Sequence, residues 1–135
     1  FARDMRGETP RWEGIAKYPD GRNLQCINYR FERPVRFNRV VLHEDISEGQ
    51  RVAKFHVSVK TLENRFLHIV AHATTIGHKR ILLLPQMEGV LSFEIVVEES
   101  DGKASIDVGL FQDDIFDASA LLEEQVRRTT DSINP

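Results

Sequence analysis

The residues best suited to chemistry in this chain are its histidines and its carboxylates. His68 and His72 have the i, i+4 spacing that holds a zinc ion on a helix. The residues around them indicate a strand, in which two such side chains lie about 13 Å apart and cannot share one ion. We therefore expect no metal site at this pair, and no motif in the chain indicates a cofactor.

Adjacent carboxylates occur three times, as Glu44/Asp45, Glu98/Glu99 and Asp113/Asp114. Acid–base hydrolysis of a glycosidic bond needs two carboxyl groups that face each other across a cleft. Neighbouring residues of a strand point to opposite faces, so none of these pairs meets that requirement. No Gly-x-Ser-x-Gly motif is present either. We expect no catalytic residue in this chain.

Two aromatic residues, Trp12 and Tyr18, lie outside the alternating pattern of the predicted strands. A sugar ring stacks on an exposed aromatic face, so both residues are candidates for a carbohydrate platform. The alternative is that Trp12 closes one end of the core, because a tryptophan side chain buries a large apolar area.

The segments that hold these residues are predicted to be β-strands. Phe55, Val57 and Val59 alternate with polar residues, and so do Phe93, Ile95 and Val97, which predicts two half-buried strands that share one core. About seven short runs of this kind, separated by turn residues, predict an all-β sandwich. The predicted strands span residues 26–31, 36–44, 52–60, 66–74, 80–84, 90–97 and 104–111.

The ends of the chain differ from this central part, which covers residues 26–112. Residues 1–25 are polar and rich in Gly and Pro, and they predict long loops with room for one short strand or helical turn. Residues 113–135 form a tail. Within it, an apolar stripe at helical spacing predicts a short helix over 117–129, either packed on its own domain or docked on a partner.

Polar loops follow two of the predicted strands, at residues 45–50 and 74–79. If successive strands run antiparallel, both loops lie at the same end of the sandwich. That end would carry Glu44, Asp45, Arg51, His78, Lys79 and Arg80. One interpretation is an internal network in which Glu44 or Asp45 forms an ion pair with Arg51, Lys79 or Arg80. The other is a polar surface that meets a ligand or another domain.

Bulk properties exclude several classes of function. A net charge of −3 gives no reason to expect nucleic acid as a partner. The single cysteine, Cys26, excludes an internal disulfide and a zinc site built from several thiolates. No apolar run approaches the roughly 20 residues that span a bilayer, so we expect no membrane partner.

The segments around loops 45–50 and 74–79 resemble a known protein family. The segments Gly49-Gln50-Arg51-Val52 and Ile76-Gly77-His78-Lys79-Arg80-Ile81, with their preceding strands, resemble the C-terminal domain of bacterial and plant-type α-L-fucosidases. The similarity covers about residues 31–111. It implies a galactose-binding-like, or discoidin-like, jelly-roll sandwich packed behind a catalytic (β/α)8 barrel, in a protein that is periplasmic or secreted.

The resemblance implies a non-catalytic accessory domain of a glycoside hydrolase, with the barrel as its partner and carbohydrate as a second contact. The alternatives are an independent carbohydrate-binding module and a discoidin-like protein-interaction module. A barrel of about 250 residues does not fit in this chain, so no catalytic residue is transferred. The residues predicted to contact carbohydrate or the neighbouring domain are Trp12, Tyr18, His43, Glu44, Arg51, His78, Lys79 and Arg80.

Overall fold

The computed structural model describes residues 3–113, and every helix or strand assigned in that range is a β-strand. The strands are β1 (Arg11–Lys17), β2 (Asn23–Glu44), β3 (Val52–Thr61), β4 (His68–Ala73), β5 (Arg80–Ser100) and β6 (Ile106–Phe111). All of their pairings are antiparallel. No helix able to cross a membrane occurs within this range.

The strands form two layers because β2 and β5, which have 22 and 21 residues, take part in both. Their pairing shifts register between Arg30 and Arg39, where the strands bend from one layer into the other. The five-stranded layer has the order β1, first half of β2, second half of β5, β3, β4. The three-stranded layer places the second half of β2 between β6 and the first half of β5.

The core lies between these layers, as the alternation predicts. The side chains of Phe55, Val57, Val59, Phe93, Ile95 and Val97 are all buried in one apolar cluster. The rings of Phe37 and Phe93 pack edge to face with centroids 5.7 Å apart, and they come from different layers. The predicted β-sandwich and the predicted core are therefore confirmed.

Two predicted strand ends are wrong. The sequence predicts separate strands over 26–31 and 36–44, and over 80–84 and 90–97, but β2 and β5 continue through the intervening Pro34 and Pro85. Proline has no N–H to give to a neighbouring strand and is tolerated where pairing is interrupted. Pro34 lies in such an interruption, between the paired residues Arg30 and Val35, and Pro85 lies in another, between Leu83 and Met87. Four predicted short strands are therefore two long ones.

The N-terminal region contains more regular structure than loops alone. Strand β1 pairs with the start of β2, from Arg11 opposite Tyr29 to Lys17 opposite Asn23. The one short strand that the sequence allowed is therefore β1, and β2 begins three residues before the predicted sandwich. The predicted helix over 117–129 lies outside the described residues.

Candidate functional site

Glu44 connects three segments at the loop end of the sandwich. It ends β2 on the inner face, where its side chain is 3% exposed. Its carboxylate accepts hydrogen bonds from the backbone N–H groups of Arg51 at 2.7 Å, Val52 at 3.1 Å and Gly77 at 3.3 Å. Its own N–H donates to the carbonyl of Gly77 at 3.0 Å. Glu44 thereby ties the loop 45–50 and the loop 74–79 to the same end, as the strand order predicts.

Gly77 fits this connection because of its backbone conformation. Its φ of +66° lies in the left-handed region that residues with a Cβ rarely adopt. Both its N–H and its carbonyl bond to Glu44. A side chain at this position would strain the turn that brings the second loop to the carboxylate.

The predicted ion pair is wrong. Neither Glu44 nor Asp45 forms a salt bridge with Arg51, Lys79 or Arg80 in the part of the chain that the structure describes. The buried carboxylate of Glu44 is stabilised by backbone hydrogen-bond donors instead, since small N–H groups fit where a guanidinium would have to be desolvated.

The other charged residues of this end have local partners or face solvent. The guanidinium of Arg51 donates to the carbonyl of Asp101 at 2.8 Å and to Glu48 at 3.1 Å. Asp45 accepts from the N–H of Ser47 at 3.0 Å, and this backbone hydrogen bond lowers the pKa of Asp45. Lys79 is exposed, and Arg80 begins β5 opposite Leu42.

His43 and His78 meet beside this connection. Nδ1 of His43 lies 3.0 Å from the carbonyl of His78, and the two rings are edge-on with centroids 6.0 Å apart. They line a cleft of about 290 Å³ together with Glu44, Asp45, Ile46, Ser47, Ser105 and Asp107. The cleft offers imidazole, hydroxyl and carboxylate groups suited to hydrogen-bonding a hydroxylated ligand. No group of three potential metal ligands occurs in residues 3–113.

Trp12 and Tyr18 lie away from this cleft. Trp12 is on β1 opposite Asn28, and the residue is 55% exposed. It therefore does not close the core, and the sequence alternative in which it does is wrong. Tyr18 lies in the turn after β1, with the guanidinium of Arg22 5.3 Å from its ring centroid. Of the eight predicted contact residues, His43, Glu44 and His78 line the cleft, and the backbone of Arg51 bonds to Glu44. The lining of the cleft does not include Lys79, Arg80, Trp12 or Tyr18.

A second cavity was not predicted from the sequence. It is a groove of about 760 Å³ on the outer face of the five-stranded layer. Its lining comes from β1, β2, β3, β5 and the segments next to them, and includes Trp12, Asn28, Arg30, Lys60, Leu67, Ser92 and Glu94. The alternation of β3 and β5 shows that Lys60, Ser92 and Glu94 face outward. Their position beside Trp12 follows from the order of the strands in the sheet, which alternation alone does not predict.

The outer face of the three-stranded layer carries several apolar side chains around Arg39, whose guanidinium lies 5.0 Å from the ring centroid of Phe111 and 3.3 Å from the carboxylate of Asp113. Val41 pairs with Ile81, and Arg39 pairs with Leu83 and Phe111 across the neighbouring strands. We call Val41, Ile81, Leu83 and Phe111 the apolar face. Leu83 is 77% exposed there and Ile81 46% exposed, so the two form an exposed apolar patch. The next row of this face is His43 and Asp107, so the apolar face continues into the loop-end cleft.

Comparison with known proteins relates this architecture to glycosidases. No protein-family model matches the chain. An α-L-fucosidase of Arabidopsis thaliana, α-L-fucosidase 1, is 30% identical to it over 105 residues, which are 75% of this chain and 21% of the relative. The likeness relates most of the chain to α-L-fucosidases. The chain spans about a fifth of that relative's length.

Solved structures share the fold. A fucosidase of glycoside hydrolase family 29 from Ruminococcus gnavus, solved with fucose, superposes with a TM-score of 0.65 at 14% identity, over 84% of this chain and 27% of that one. A pair of family 32 carbohydrate-binding modules from Clostridium perfringens ZmpB, solved with GalNAc, gives a TM-score of 0.62 at 7% identity, over 83% of this chain and 35% of that one. The same sandwich thus occurs within a glycosidase and within a carbohydrate-binding module.

Proposed function

We propose that this chain is a non-catalytic accessory domain of an α-L-fucosidase-like glycoside hydrolase, in which it supports the catalytic barrel. The observation that carries the proposal is the match of 75% of the chain to only 21% of an α-L-fucosidase. A segment of that size is far smaller than a (β/α)8 barrel of about 250 residues. By the same likeness, the parent protein acts in the periplasm or outside the cell.

The apolar face is the surface that would dock on the barrel. This face carries the apolar side chains of Val41, Ile81, Leu83 and Phe111. It would be exposed to solvent if no other domain covered it. Burial of such a surface against another domain stabilises both partners, by about 25 cal/mol for each Å² of apolar area. Because this face continues into the cleft of His43 and Asp107, docking would also bring the loop end next to the barrel.

A graft tests the proposal. The stretch of the Arabidopsis relative that matches this chain would be replaced by the chain, and hydrolysis of 4-nitrophenyl α-L-fucoside and the thermal midpoint would be measured. We expect the graft to regain activity and stability that a deletion of the same stretch loses. A graft no better than the deletion would contradict the proposal. A matched graft of the Clostridium module controls for the fold alone, and we expect it to fail.

Two substitutions in the graft locate the docking surface. Leu83→Glu places a charge on the apolar face and is expected to abolish the rescue. Ile15→Glu changes another exposed apolar residue, on β1 of the other layer, and is expected to leave the rescue intact. Equal effects of the two substitutions would show that the apolar face has no special role.

The loop-end cleft favours a second contact, with carbohydrate. His43, His78 and Asp107 present hydrogen-bonding groups at one end of a fold that a GalNAc-bound module shares. We expect the ring resonances of His43 and His78 to shift when fucose or GalNAc is added to the chain. Unchanged resonances at tens of millimolar sugar would remove this contact from the proposal.

A further inference from the structure

Two cations flank a buried hydroxyl on the floor of the groove. Ser92 on β5 lies opposite Arg30 of β2 on one side and Lys60 of β3 on the other, so the three side chains share the outer face of the sheet. Two strand spacings separate Arg30 from Lys60, or about 10 Å between their backbones. An anion held above Ser92 is within reach of both long side chains.

Arg30, Ser92 and Lys60 form one row across the sheet, and their polar groups lack partners within residues 3–113. Ser92 is 6% exposed, and its Oγ has no hydrogen-bond partner among the described residues. A buried hydroxyl without a partner is costly, which makes it a candidate to bond a ligand. Neither Arg30 nor Lys60 forms a salt bridge within residues 3–113. The row Arg30–Ser92–Lys60 therefore presents two positive charges and a hydroxyl with no anion of its own.

The adjacent row supplies an aromatic ring and sugar-type hydrogen-bonding groups. Trp12 lies opposite Asn28, which lies opposite Glu94. Nδ2 of Asn28 donates to Oε2 of Glu94 at 3.1 Å, which leaves Oδ1 of Asn28 as an acceptor beside the carboxylate. The indole lies across Gly14, where a Cβ would come within 2.4 Å of Cη2. The glycine thus gives the ring a fixed place on the strand.

The dimensions suit a short saccharide. The groove of about 760 Å³ falls in the usual range for small-ligand sites, about 300–1,000 Å³. Trp12 on β1 and Leu67, which directly precedes β4, both line the groove, and the strand order places the two polar rows between these strands. Arg30 and Lys60 outweigh Glu94 by one positive charge, so a ligand with a negative group is favoured over a neutral one.

We propose that this groove binds an acidic glycan. One pyranose ring stacks on Trp12, and its hydroxyl groups bond to Asn28 and Glu94. A carboxylate or sulfate on the sugar lies between Arg30 and Lys60 and accepts a hydrogen bond from Ser92. The site is on the layer opposite the apolar face, so it does not depend on docking to a barrel. The proposed accessory role and this binding site can fail independently.

Titration of the full chain with matched oligosaccharides tests the proposal. The probes are trigalacturonic acid, its methyl ester and a sulfated galactan oligosaccharide. Trp12 is the only tryptophan of the chain, so its fluorescence reports directly on the groove. We expect a saturable change with at least one acidic probe, about tenfold or more weaker binding of the methyl ester, and weakening at high salt. The acidic probe that binds decides between carboxylate and sulfate.

Variants identify the contacts by calorimetric titration. Trp12→Ala, Arg30→Gln and Lys60→Gln are each expected to weaken binding of the acidic probe at least about tenfold. Arg36→Gln changes an exposed arginine outside the groove and is expected to change it less than twofold. Circular dichroism melting verifies that each variant is folded. Absence of binding to every probe would overturn the proposal, as would equal affinity for the acid and its ester, or equal effects of Arg36→Gln and Arg30→Gln.

Discussion

Glu44 is the residue on which the loop end depends. Its buried carboxylate bonds to three backbone N–H groups, which belong to two other segments of the chain. Glu44→Gln replaces one acceptor oxygen by a donor, which opposes an N–H group in the folded state. We expect it to lower the free energy of unfolding by about 2–3 kcal/mol, measured by urea denaturation. The exposed Glu48→Gln serves as the control and is expected to change it by less than about 0.5 kcal/mol.

Glu98 makes the stability of the sheet depend on pH. Nδ1 of His56 lies 2.6 Å from its carboxylate, and this hydrogen bond, with smaller contributions from the charges of His56, Lys54 and His72, lowers the pKa of Glu98. Because the pKa is lower in the folded state than its ordinary value of 4.5, the stabilisation is complete above that value. It is lost as pH falls through the lowered folded-state pKa.

Glu98→Gln tests this dependence. We expect a loss of about 2 kcal/mol in unfolding free energy at pH 7, and a smaller difference from the parent chain at pH 3. The adjacent Glu99→Gln is the control. Urea midpoints at the two pH values check it, and a difference that stays constant between them would contradict the assigned role.

At the scale of elements, alternation fixes which strand faces are buried. Phe55 and Phe93 are both fully buried at the centre of the core. Truncation of either to Ala is expected to cost about 3–5 kcal/mol in urea denaturation, because the cavity cannot fully collapse. Phe66→Ala offers a matched control, since that ring is 84% exposed. Equal midpoints for Phe93→Ala and Phe66→Ala would contradict the assignment of the core.

Local pattern predicted these buried faces but not the path of the strands. Pro34 and Pro85 look like strand ends because proline cannot join a ladder, yet both fall where the pairing of β2 and β5 is already interrupted. The polar, Gly- and Pro-punctuated residues 1–25 predict loops with room for one short strand or helical turn, and β1 is that strand. At Gly14 the strand accommodates the ring of Trp12, a contact that only the folded sheet reveals.

In the molecule as a whole, features that depend on contacts between distant segments could not be predicted from the sequence. The location of loops 45–50 and 74–79 at the same end was predictable, because it follows from successive strands running in opposite directions. The partners of Glu44 were not, since backbone donors become available only when three segments meet. The groove depends on the strand order β1-β2-β5-β3, which brings Trp12 and Lys60 onto one surface from distant parts of the chain.

For the molecule as a whole, we propose that this chain does not perform the hydrolysis itself. Within residues 3–113, the carboxylates of Glu44, Glu94 and Glu98 are engaged by backbone amides, by Asn28 and by His56, respectively. The most direct test is the initial rate of 4-nitrophenyl α-L-fucoside hydrolysis by the pure chain over a range of protein concentrations. We predict a rate equal to that of buffer at every concentration. Hydrolysis that rises in proportion to the chain would contradict the account.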